Sequence, residues 1–83
     1  MNNQERIIEQ VIAERERQDR LWGVQDHEPL KWVAILLEEA GEYAKDVLEG
    51  RVAHAREEVV QIAAVAIAIV ESMDREFGEN ETL

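Results

Sequence analysis

An all-α fold is what this sequence predicts, from three observations. Punctuating residues are sparse: one proline, Pro29, and four glycines, Gly23, Gly41, Gly50 and Gly78, leave few places for the turns a small sheet needs. Apolar residues recur at three- and four-residue steps, the period of one helical face. The 22 residues from Val52 to Met73 contain neither glycine nor proline and are rich in alanine, far too long for one strand of about 5–6 residues. The expectation is a single domain, residues 1–83, with helices over about 3–21, 29–49 and 52–74 and a polar tail over 75–83.

The first helix carries Ile7, Ile8, Val11 and Ile12 on one stripe and then turns strongly charged through "ERERQDR". Its front half is therefore expected to be the buried half, and the block Glu14–Arg17 a salt-bridged solvent face. The segment "WGVQDHEP" breaks the period, and Pro29 suits the first turn of the second helix, where its missing N–H is not needed. From there Trp32, Val33, Leu36, Leu37, Ala40, Tyr43, Ala44, Val47 and Leu48 form an apolar stripe that stops at Gly50, a residue fitted to the left-handed position after a helix. Trp32 belongs to the core on this pattern, whereas Trp22, at the loop, suits a base-stacking role as well as a core one. His27 and His54 read as cap or surface residues. The tail is polar around Phe77, which is expected to pin the end of helix three.

Helix three contains nine consecutive apolar residues, Ile62 to Val70. A helix apolar on every side must be surrounded, and two helices of one short chain cannot do that. Ala63, Ala64, Ala66 and Ala68 would let neighbours approach closely. Helices two and three are thus expected to form an antiparallel hairpin that completes a four-helix bundle with a partner chain, in a homodimer or homotetramer. A chain this short buries only about 60 to 65 per cent of its unfolded surface. With no cysteine to cross-link it, metal or partner chains are the remaining sources of extra stability.

Nineteen acidic against nine basic residues give a net charge of −10, a field that repels nucleic-acid phosphate and argues against duplex nucleic acid as a partner. The apolar run is about half the ~18 residues a membrane span requires. The opening "MNNQERIIEQ" lacks the apolar core of a secretory signal, so no membrane association and a cytoplasmic location are expected.

The chemistry-bearing residues are acids. Glu39 and Glu42 stand at i and i+3 on helix two, with Glu38 beside them and Asp46 one turn on, while Glu58 and Gln61 repeat the spacing on helix three. Glu42 and Glu58 lie eight residues either side of Gly50, and Glu39 and Gln61 eleven, so an antiparallel hairpin sets each pair level. Carboxylates gathered beside a core repel one another and resist desolvation unless a cation compensates them. All-oxygen ligands favour Mg²⁺, with Mn²⁺ as a substitute, and Mg²⁺ commonly takes phosphate oxygens as further ligands. Arg20, Lys31, Lys45, Arg51 and Arg56 are the basic residues nearest the acids, from which a clamp for a polyphosphate would come.

The stretches "LLEEAGEYAKDVLEG" and "REEVVQIAAVA" resemble the MazG-like all-α nucleoside triphosphate pyrophosphohydrolase superfamily. The family pattern is E-x-x-E, a spacer, then E-x-x-D; Glu39 and Glu42 match the first half, 15 residues follow, and Glu58 opens the second. The preceding "RQDRLWGVQDHEPLKWVAILLEEAGE" is similar to small single-domain members carried on phages and mobile elements, so the resemblance spans roughly residues 14–75. It implies Mg²⁺-dependent cleavage of a nucleoside triphosphate between the α and β phosphates, giving a monophosphate and pyrophosphate, and a role in cleansing the nucleotide pool. Glu39, Glu42, Glu58 and Gln61 would then be the metal ligands. Glu38 or Asp46 would accept a proton, and Trp22, Lys31, Lys45, Asp46 and Arg56 would contact substrate. The departure is Gln61 in place of Asp. It removes a charge, which weakens a second metal and opens the alternative of a catalytically weak or inactive metal- or nucleotide-binding module; alternatively the amide orients a water or a phosphate oxygen.

Overall fold

A computed structural model of the chain describes residues 1–77, the side chain of Phe77 excepted. The expected anchoring by Phe77 and the tail from Gly78 lie outside the described residues. Three helices account for almost all of it: α1 (Asn3–Trp22), α2 (Pro29–Leu48) and α3 (Val52–Phe77). The starts of α1 and α2 have a chemical cause. The Asn2 carboxamide accepts from the Glu5 N–H at 2.9 Å, and Glu28 accepts from the Lys31 N–H at 3.0 Å with Pro29 beside it, satisfying donors a helix leaves unpaired. α3 runs three residues beyond the expected end at 74. Its last turn is anchored by Arg75, which donates to Asp26 at 2.9 Å and to the Gln25 carbonyl at 3.2 Å in the α1–α2 connection.

α2 and α3 form the expected antiparallel hairpin. After α2 the Arg51 N–H bonds the Asp46 carbonyl at 2.8 Å and the Gly50 N–H bonds that of Val47 at 3.2 Å. This double closure is the Schellman stop, and it needs a left-handed residue, here Gly50 at φ 75°. α3 packs against both other helices, whereas the backbones of α1 and α2 stay more than 8 Å apart. The molecule is thus a hairpin with one helix laid beside it on α3.

The buried centre is small. Trp32, Val65 and Ala68 form it, with Ile35, Leu36 and Ile69 half-buried around them. Ala55, Ala64 and Ser72 complete a narrow buried line along α3. Two expectations are corrected here. The front half of α1 is the exposed half, with Ile7, Ile8 and Ile12 all facing outward. The rear half is the buried one: Gln18 is enclosed, and Glu14 and Arg15 are half-buried rather than on a solvent face. The reason is that the stripe of Val11 continues through positions 14, 15 and 18, and α3 meets that part of it. Arg15 fixes the contact by donating to Glu71 of α3 at 2.8 Å and to Asp19 at 2.7 Å. Among the described residues no helix is long and apolar enough to cross a membrane.

Candidate metal centre

Glu39 and Glu42 project from one face of α2, and Glu58 meets them from α3. One carboxylate oxygen of each lies within 4.8 Å of the other two. The hairpin turn produces this convergence, because it fixes how far each side chain stands from Gly50. Asp46 belongs to the turn: it is only 7 % exposed, and Arg51 grips its Oδ1 through Nε at 2.9 Å and Nη2 at 2.8 Å. Arg51 also pairs with Glu49.

Two of the three carboxylates, Glu58 and Glu42, are under electrostatic stress. Burial, followed by the hydrogen bond and charge of Glu39 and the charge of Asp46, pushes the Glu58 carboxyl up to about 7, against a smaller opposing hydrogen bond with Glu42. The Glu42 carboxyl is raised too, chiefly by the charge of Glu58, then by desolvation and by Glu38. Two oxygens of the group, Glu39 Oε2 and Glu58 Oε2, are buried with no hydrogen-bond partner. Buried polar atoms are nearly always satisfied, and buried carboxylate oxygens that nothing in the protein satisfies are what a hard cation would occupy. The residues present therefore fit a divalent ion with oxygen ligands.

Beside this group a cleft of about 220 Å³ opens between α1 and α2, floored by α3. Glu39, Gln61 and Trp22 line it, and Trp22 is 58 % exposed while Trp32, at its base, is 6 % exposed in the core. The edge of the His27 ring meets Trp32 with centroids 4.8 Å apart. Gln61 also lines a second cavity of about 440 Å³ on the α1 side of α3, which Arg56 borders.

The structure thus gathers Glu39, Glu42 and Glu58 and sets Gln61 and Trp22 on an adjoining cleft. Other candidates stand elsewhere. Lys31 and Lys45 are exposed and line neither cavity. Arg56 donates to Gln10 of α1 at 2.9 Å, and Arg20 is exposed in the last turn of α1. Sequence reasoning missed the α1 wall of the cleft, formed by Glu14, Arg15, Arg17 and Gln18. The signal was available for Glu14, Arg15 and Gln18 in the helical period, which carries the apolar stripe of α1 into them, whereas Arg17 lies off that stripe. The chain matches no protein-family model, no curated protein and no solved structure.

Proposed function

We propose that the chain is a Mg²⁺-dependent nucleoside triphosphate pyrophosphohydrolase that cleaves between the α and β phosphates and serves to clear the nucleotide pool. The observation that carries this reading is the convergence of Glu39, Glu42 and Glu58, two of whose oxygens are buried without a partner. The resemblance of the E-x-x-E and Glu58 segments to MazG-like proteins, which rests on the same residues, agrees with it.

In this mechanism Glu39, Glu42 and Glu58 would hold the ion, and the Gln61 carbonyl oxygen would offer a further neutral donor from the cleft wall. Bound Mg²⁺ or Mn²⁺ would supply Lewis acidity toward phosphate oxygens and toward water. Glu38, exposed on α2 one turn before Glu42, accepts the proton of the attacking water. Asp46 is the poorer base because Arg51 already grips its carboxylate. The cleft holds the nucleotide, with Trp22 offering a ring face to the base.

The site is expected to work in an oligomer. Val33, Leu37 and Val47 of α2 and Val59, Ile67 and Val70 of α3 are exposed, and pairing these faces with a second copy makes a four-helix bundle. The test is pyrophosphate release from a panel of standard and modified nucleoside triphosphates, with Mg²⁺, with Mn²⁺ and with chelator. Metal-dependent release that Glu58→Gln abolishes supports the proposal; silence across the panel from folded protein overturns it.

One feature favours a second reading, a metal- or nucleotide-binding module without turnover. Gln61 stands where the resembling family has Asp, leaving the group with three acids. On this reading natural protein binds the nucleotide without releasing pyrophosphate, and Gln61→Asp confers release.

A further inference from the structure

A triphosphate chain carries several negative charges, and this protein has a net charge of −10. The metal can neutralise only part of that, so some side chain must meet the rest. Most basic candidates are engaged or misplaced. Arg15 is 12 % exposed and divided between Asp19 and Glu71. Arg51 is held at the hairpin turn by Asp46 and Glu49, and Arg75 is held by Asp26. Arg17 differs. It stands on the α1 wall, 44 % exposed, and lines both the cleft that contains Glu39 and the second cavity, Gln61 being common to the two. Glu14, itself half-buried, accepts from its Nε at 2.8 Å and its Nη2 at 2.9 Å. A guanidinium has five N–H donors, so this fork orients the group while leaving the Nη1 edge free to donate.

We infer that Arg17 is the phosphate-binding residue of the cleft, held in position by Glu14, and that it grips the end of the triphosphate chain opposite the carboxylates. This rests on the nucleotide reading above. A guanidinium suits the task because it offers paired donors to phosphate oxygens. Glu14 is a positioning residue: it touches Arg17 and not the substrate.

The test is calorimetric titration of natural protein, Arg17→Ala, Arg17→Lys and Glu14→Gln with three probes in Mg²⁺: an α,β-imido nucleoside triphosphate, inorganic tripolyphosphate and the nucleoside alone. Arg17→Ala should weaken both triphosphate probes by about ten- to a hundredfold, the range for a lost charge-assisted contact, and leave the nucleoside unchanged. Arg17→Lys should recover part of the loss and Glu14→Gln should show a smaller one. Thermal melts verify that each variant folds, and Mg²⁺ titration without nucleotide should be the same in all four proteins. If natural protein binds the triphosphates and Arg17→Ala binds them equally well, the role of Arg17 is overturned and the nucleotide reading stands. If natural protein binds neither triphosphate probe, both are overturned.

Discussion

At the scale of single residues the informative group is Glu58. Its raised carboxyl fixes a sign: a proton favours the folded state wherever the folded group keeps it and the unfolded one has lost it. That contribution is fully present below about 4.5, the ordinary carboxylate value, and is lost as pH rises through about 7. Urea unfolding of metal-free protein should therefore show stability falling from pH 4.5 to 7 and levelling above. Glu14, whose carboxyl Arg17 holds below its ordinary range, acts the other way and only at lower pH. On the proposed function Mg²⁺ would replace the proton, so its affinity should rise over the same interval and the decline should flatten when it is present. Glu58→Gln tests the cause. It should stabilise metal-free protein at pH 8, seen as a higher melting temperature, and weaken Mg²⁺ by ~10-fold or more, the loss expected when a charged ligand is neutralised. The carboxylates themselves were legible in the sequence, because i, i+3 spacing and equal distance from Gly50 are geometric statements. Glu14 was legible only through the helical period that runs on from Val11, and Arg17, off that stripe, was not, because a run of alternating charges looks the same on a solvated face as on the wall of a cleft.

At the scale of elements, helix type and order were legible and helix ends nearly so. Periodicity and the signals at Pro29, Gly23 and Gly50 carry that information locally. The end of α3 was hidden because what extends it is Arg75 reaching a loop some fifty residues earlier in the chain, a tertiary contact. The two turn glycines make a graded prediction. Gly50 stands at φ 75° and Gly23 at φ 71° with ψ −178°. A Cβ on either would meet nothing within 4 Å, so only backbone strain enters. The left-handed region costs a non-glycine residue about 1–2 kcal/mol, whereas the extended positive-φ region at Gly23 admits essentially glycine alone, at about 1–3 kcal/mol. Chemical denaturation should show Gly23→Ala to be at least as destabilising as Gly50→Ala. Gly50→Ala should in addition weaken Mg²⁺ binding, since the turn sets the distance between Glu42 and Glu58.

At the scale of the molecule, the expected partner chain follows from surface that has nowhere to go. Val33, Leu37 and Val47 of α2 and Val59, Ile67 and Val70 of α3 lie exposed in the single chain. Apolar side chains left in water along two packed helices are the surface a second copy's helices would cover. The apolar run of α3 made a partner foreseeable, but which faces stay open depended on where α1 settled. With α1 expected to use its front half, Ile7, Ile8 and Ile12 were assigned to the core; the structure leaves them outside. Sedimentation should show at least a dimer at micromolar concentration. Leu37→Glu and Ile67→Glu, both at exposed positions, should shift it toward monomer while preserving helical content by circular dichroism. A dimer unaffected by either change would place the interface on another face.

Because the backbone of α1 approaches that of α3 and not that of α2, the protein divides into units that can open at different free energies. The hairpin has a tight turn and its own buried centre, whereas α1 is attached mainly through its rear half, the Arg15–Glu71 pair and the Arg56–Gln10 bond. Amide hydrogen exchange should find the α1 amides opening together and well before those of α3 around Ala64 and Ala68. A nucleotide gripped between α1 and the hairpin would close that gap in protection.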